Sequence, residues 1–260
     1  MVESANRVLR VLESFAPSDH DVSLGDLADR LGLPKSSVHR MLATLVAHGF
    51  VERDVATRRY RLGIRLFELG SAAIHERGLH ATAPPALEQL TLLTGETCHL
   101  AVLSGLEAVY VYKSDSPASI MMSSRVGGRA PCHATSIGKV LAAWDDTGLV
   151  ESLLKLDLYK FTPNTITTAN ALRAELAKVR SGGYALDLEE LEEGLRCIAA
   201  PVFDHSSRIV AALGVAGPNR RFHEEQLAKL IPIVVDAAEQ LSRRLGFLRV
   251  AATPGEARAL

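Results

Sequence analysis

The chain has 260 residues, 47% of them apolar and 23% charged, and a net charge of −1. That length admits two domains or one large one, and the charge balance excludes a wholly basic chromatin-type protein. Three widely spaced cysteines give no disulfide framework, MVESANRVLR lacks the apolar core of a signal peptide, and no apolar run nears the roughly 18–20 residues that cross a bilayer, so a cytoplasmic protein without a membrane partner is expected. Charge is nevertheless segregated. Residues 1–30 carry three arginines against six acids, whereas residues 31–65 carry Lys35, Arg40, Arg53, Arg58, Arg59, Arg61 and Arg65 against Glu52 and Asp54. A local excess of this kind points one surface at a polyanion.

In chain order, residues 2–15 place apolar side chains at 5, 8, 9, 12 and 15, the period of a helix. Ser23 followed by Asp26 is a capping pattern for a second helix over 23–31, with Leu24, Leu27, Ala28 and Leu31 inward. Gly32 suits a left-handed helix end, and Pro34 suits the first turn of a third helix over 35–48. Together these make a helix-turn-helix. The third helix gathers Val38, Met41, Leu42, Leu45 and Val46 on one side, and its other side offers small, hydroxyl and basic residues with no acid. Arg40 and Ser37 are the candidates for base edges, Lys35, Ser36 and Thr44 for phosphates, and His39 flanks them. Two short strands, 50–53 and 59–62, then form a hairpin whose tip carries Arg58 and Arg59, a basic wing suited to phosphate or a narrow minor groove.

SLGDLADRLGLPKSSVHRMLATLVAHGFVERD, followed by RYRLG, resembles the winged helix-turn-helix of the IclR family of bacterial transcriptional regulators. RAPCHATSIGK and EEGLRCIAAPVFD resemble that family's effector-domain signatures, so the resemblance runs from about residue 3 to 248. Arg58 departs from it, at a turn position where the family often has Gly. The resemblance implies a double-stranded, pseudo-palindromic DNA operator read by a homodimer or tetramer, with repressors and activators both represented. It also implies a helix over the linker that connects the domains and helps pair subunits.

Beyond the linker, Pro84-Pro85 is expected to start a helix through ALEQLTLLTG. CHLAVLSG and AVYVYKSD form a strand hairpin, IMMSSR a third strand, and YALD, RCIAAPVF and RIVAALGVAG three more. ATSIGKVLAAW, TTANALRAELAKVRSGG and the segment 224–248 are helical. The fold class is therefore an N-terminal all-α winged helix-turn-helix domain with a small β wing, and a C-terminal α+β domain with an antiparallel sheet. The resemblance makes the latter GAF-like. The expected divisions are 1–63 for DNA binding, 64–78 for the linker helix, 79–250 for effector binding and oligomerisation, and 251–260 as a flexible tail.

The candidate ligand site opens at Thr135 and Ser136, where a helix start presents free N–H groups suited to a carboxylate. Ile137 and Gly138 permit close backbone approach, and the two hydroxyls add donors. The family's pocket, carried over position by position, implies lining by Ala130, Ser136, Ile137, Asp187, Cys197, Gly214 and Ala216. Members that hold small keto acids have hydroxyls on the last strand, where this chain has Gly214 and Ala216. The expected effector is therefore an organic acid larger than a two- or three-carbon keto acid, aromatic acids included. No cofactor, resident metal or enzymatic activity is expected. The same residues admit two alternatives: a zinc-responsive regulator using Cys98, His99, Cys132, His133, Cys197 and Asp187, and a hydrolase using Cys197 with His99 or His133. The first lacks ligand spacing, since neighbours on a strand face opposite ways, and the second lacks a nucleophile motif. The acidic run Asp187, Glu189, Glu190, Glu192 and Glu193 is expected to be a solvated turn.

Overall fold

The computed structural model describes residues 2–15, 21–75, 78–116 and 124–248. Two compact units divide the chain, Met1–Glu76 and Arg77–Leu260. In the first, helices α1 (Glu3–Glu13), α2 (Leu24–Leu31) and α3 (Lys35–Ala47) close on a core that includes Val11, Leu27, Val38 and Leu42. The capping box forms: Ser23 Oγ accepts the Asp26 N–H at 3.1 Å, and Asp26 Oδ2 accepts the Ser23 N–H at 3.2 Å. Gly32 ends α2 at φ 64°, in the left-handed region that suits glycine. Pro34 stands just before α3 as its cap.

The wing strands, β1 (Val51–Arg53) and β2 (Tyr60–Leu62), pair antiparallel, each one residue shorter than expected. Tyr60 also exchanges both backbone hydrogen bonds with Val22, each of 2.8 Å, which ties the wing to the approach to α2. Helix α4 (Arg65–His75) follows, presenting exposed Phe67 and Leu69.

The second unit is an α+β fold. Among its described residues an antiparallel six-stranded sheet runs in the order β5-β4-β3-β8-β7-β6. Its strands are β3 (Thr97–Ser104), β4 (Glu107–Ser114), β5 (Arg129–Pro131), β6 (Ala185–Leu188), β7 (Leu195–Phe203) and β8 (Ile209–Pro218). Helices α5 (Leu79–Thr94) and α9 (Glu224–Arg244) pack together on one face. On the other lies α6 (Ser136–Ala143), backed by α8 (Ala169–Gly182), with short α7 (Leu149–Leu153) alongside. The two faces differ in bulk. Ala101, Ala108, Ala130, Ala199 and Ala212 turn toward α6, whereas Leu100, Leu213, Val215 and Ile198 occupy the alternate positions and face the other way. Small side chains under α6 leave room for a cavity.

Three expectations needed revision. Helix α5 begins at Leu79 and runs through Pro84 and Pro85 instead of starting at them. Each proline removes an intrahelical bond, but Leu79, Ala83, Leu87 and Leu90 are essentially fully buried on one stripe and hold the extra turn. The stretch 129–131, for which no element is expected, is the edge strand β5, which pairs Ala130 with Ala108. Of IMMSSR, residues 120–123 lie outside the described residues, and Ser124 and Arg125 are not in a strand; the tail 251–260 also lies outside them.

Candidate nucleic-acid interface and ligand cavity

Helix α3 buries Val38, Leu42 and Leu45, and that orients its opposite face outward. Lys35, Ser36, His39, Arg40 and Thr44 are exposed, and Ser37 is half-buried. The Thr44 hydroxyl donates to the Arg40 carbonyl at 3.2 Å. Much of the basic excess is already engaged. Arg61 pairs with Glu52 at 2.8 Å, Arg65 with Glu68 at 2.6 Å, and Arg59 donates to the Asp21 carbonyl at 3.0 Å. Arg53 lies over the Tyr60 ring. No ion pair among the described residues occupies Lys35, Arg40 or Arg58. Arg58 takes φ 60°, a conformation that costs a non-glycine residue about 1 kcal/mol, at the tip of the wing.

The second unit contains a cavity of about 470 Å³ between the small-residue face of the sheet, the start of α6 and the loop after β6. Ala130, Asp187, Cys197, Gly214 and Ala216 line it from the strands, and Thr135, Ser136 and Ile137 from α6. Gly138 lies behind the wall. A Cβ there would strike the Cys132 backbone and stand 2.7 Å from the Pro131 carbonyl, so its role is to let α6 start close against β5. Thr135 is the helix cap: its Oγ1 accepts the Gly138 N–H at 3.0 Å and donates to the Pro131 carbonyl at 2.8 Å. The N–H groups of Ser136 and Ile137, and the Ser136 hydroxyl, have no partner among the described residues, although Ser136 is 2% exposed. Donors left open on a cavity wall in this way suit an anionic ligand.

Asp187 is 1% exposed; Oδ1 accepts the Glu190 N–H at 2.7 Å and the carboxyl opens onto the cavity. Loss of hydration pushes it up to about 7, with the Glu190 charge adding and the Glu190 and Leu191 amides and Lys139 opposing. What surface Cys197 keeps faces the cavity, and burial from bulk water raises its thiol well above the ordinary value. His99 and Tyr110 are among the lining residues that the sequence did not mark as ligand contacts. The His99 Nε2 is 2.7 Å from Ser124 Oγ, its ring lies 5.1 Å from that of Tyr110, and burial pushes it down to about 4, so it is neutral. Burial likewise raises the Tyr110 phenol.

The acidic run is not one solvated turn. Glu190 is buried against Lys139 at 2.6 Å, Glu189 accepts from Arg196 and from the Gly194 N–H, and only Glu192 and Glu193 are exposed. No group of three or more His, Cys, Asp or Glu among the described residues is placed to hold a metal ion. Cys98 and His99 point to opposite faces of β3, and His133 Nε2 is 3.0 Å from the Tyr159 carbonyl. No helix among the described residues is long and apolar enough to cross a membrane.

A winged helix-turn-helix joined to a separate cavity-bearing α+β unit is the architecture of a transcription regulator. The family described as the IclR helix-turn-helix domain matches residues 4–55, and that described as the bacterial transcriptional regulator IclR C-terminal domain matches residues 71–243. The chain is 38% identical to the HTH-type transcriptional regulator XynR of Escherichia coli K12, over 95% of this chain and 98% of that protein. It is likewise 38% identical to the regulator KdgR of the same organism, over 95% and 94%. Among solved structures, an IclR homologue from Microbacterium hydrocarbonoxydans complexed with 4-hydroxybenzoate superposes with a TM-score of 0.81 at 30% identity, covering 92% of this chain and 99% of that one. The chain belongs to the IclR family of bacterial transcriptional regulators.

Proposed function

We propose that the protein binds a pseudo-palindromic operator as a homodimer or tetramer under the control of an organic monocarboxylate held in the cavity. Residues 1–63 read the DNA, 64–78 connect and help pair the subunits, and 79–250 sense the ligand. The observation that carries this is the open pair of amides at the start of α6, Ser136 and Ile137, facing a cavity of about 470 Å³. Glycine at 214 and alanine at 216 leave that cavity wide enough for an aromatic acid, and a relative crystallised with 4-hydroxybenzoate supports the same ligand class.

On the DNA side, two α3 helices in successive major grooves would stand roughly 34 Å apart. Arg40 and Ser37 address base edges, Lys35, Ser36 and Thr44 address phosphates, and Arg58 and Arg59 serve the wing. Exposed Ile64, Phe67 and Leu69 at and beside α4 support pairing through the linker. The test is fluorescence anisotropy on selected operator DNA at two salt concentrations, with and without a panel of monocarboxylates. Salt-sensitive binding shifted by one acid is the expected result, and binding unchanged by every acid would refute ligand control.

A further inference from the structure

We propose that effector binding is coupled to a proton: a monocarboxylate seated on the Ser136 and Ile137 amides enters only together with a proton from solvent on Asp187. This rests on the cavity being an organic-acid site. The geometry places two carboxyl groups, the ligand's and that of Asp187, in one cavity, and two anions there repel because Asp187 is only 1% exposed and poorly hydrated.

Three of the four nearby cations are held by the protein's own acids. Lys139, fully buried on α6, is held by Glu190 at 2.6 Å and Glu175 at 3.1 Å. Arg221 is clamped on Glu96, and Arg129 on Glu107 at 2.6 Å. Arg125 stands exposed at the rim, where water screens it.

The groups facing Asp187 are Tyr110 on β4, Cys197 on β7, Lys139 on α6 and Glu190 on the loop after β6, with Glu192 beside Cys197. Tyr110 and Cys197 are neutral, each pushed upward by burial, and Glu190 is matched by Lys139. Asp187 is therefore the cavity group whose charge can change near neutrality, because burial has brought it to about 7. A second anion raises it further, so the complex holds a proton that the free protein has shed. His99, pushed down to about 4, does not titrate in this range.

The sign follows. Below pH 7 Asp187 is already protonated and affinity is flat; above it each pH unit costs up to roughly tenfold, until the value in the complex is reached. Isothermal calorimetry of the full chain with benzoate, 4-hydroxybenzoate and hexanoate, at pH 6 and pH 8 in buffers of different ionisation heat, tests this. Binding about tenfold weaker at pH 8, with uptake there approaching one proton, is expected for wild type. Asp187→Asn keeps the Oδ1 acceptor for the Glu190 N–H and should bind with neither pH dependence nor uptake. Equal wild-type affinity at both pH values without buffer-dependent heat would overturn the coupling alone. Failure of all three acids at both pH values would overturn the organic-acid site itself, and the coupling with it.

Discussion

The DNA-facing surface and the ligand cavity are built in opposite ways. The first is one face of a 13-residue helix, set outward because Val38, Leu42 and Leu45 are anchored inward, with an exposed wing beside it. The second is assembled from all six strands of the sheet, a helix start and a loop, and its chemistry depends on groups withdrawn from water. Substitutions on the reading face should therefore change binding while leaving the fold intact. Substitutions around the cavity should change stability, pH response or ligand choice first.

The largest effects are expected behind the cavity. Lys139→Met would leave Glu190 buried without its cation, and should lower unfolding free energy by about 3–5 kcal/mol in urea titrations. Adding Glu190→Gln should recover much of that loss; no recovery would mean that the pair does not hold α6 to the loop. Asp187→Asn comes next. A carboxyl raised from 3.8 to about 7 by folding makes the native state lose stability as pH rises from about 4 to 7, by about 4 kcal/mol in all. The variant should thus match wild type near pH 4 and exceed it at pH 8 in thermal melts. Parallel curves would show that Asp187 is not desolvated.

On the reading face, Arg40→Ala should cost roughly 1–3 kcal/mol of operator affinity with an unchanged melting temperature, measured by anisotropy on matched and random duplexes. Equal losses on both duplexes would demote Arg40 to a phosphate contact. Gly214→Ser sharpens the cavity side, since a Cβ there would stand 3.0 Å from Ile137 Cγ1. It should reduce affinity for aromatic acids roughly tenfold relative to small keto acids. The smallest effect is expected at the wing. Arg58→Gly relieves the left-handed φ and should stabilise the protein by up to about 1 kcal/mol, while lowering the salt slope of log K by about 0.9.

The same contrast governs what was legible before folding. The first unit depends on local signals: Ser23 with Asp26 caps α2, Gly32 ends it, and the 3.6-residue period orients α3. An unforeseen feature, the Val22–Tyr60 bridge, joins residues far apart in sequence. In the second unit the Thr-Ser-Ile-Gly helix start was visible locally, and family resemblance named Asp187, Cys197, Gly214 and Ala216. Tyr110 was not visible, because an irregularity between Leu100 and Ala101 resets the pairing of β3 with β4 and so decides which face it takes. Nor could the acidic run reveal that Glu190 is claimed by a lysine 51 residues away. Edge strand β5 is only three residues long and carries a proline, too little for a strand pattern.

The central claim is that one chain reads DNA through α3 and is governed by an acid in the cavity. The most direct measurement selects bound sequences from fragmented genomic DNA, in parallel, with wild type, with wild type plus monocarboxylates, and with Arg40→Ala. The account predicts enrichment of a pseudo-palindrome by wild type, altered by at least one acid and lost with Arg40→Ala. Enrichment that persists in Arg40→Ala and is indifferent to every acid would contradict it.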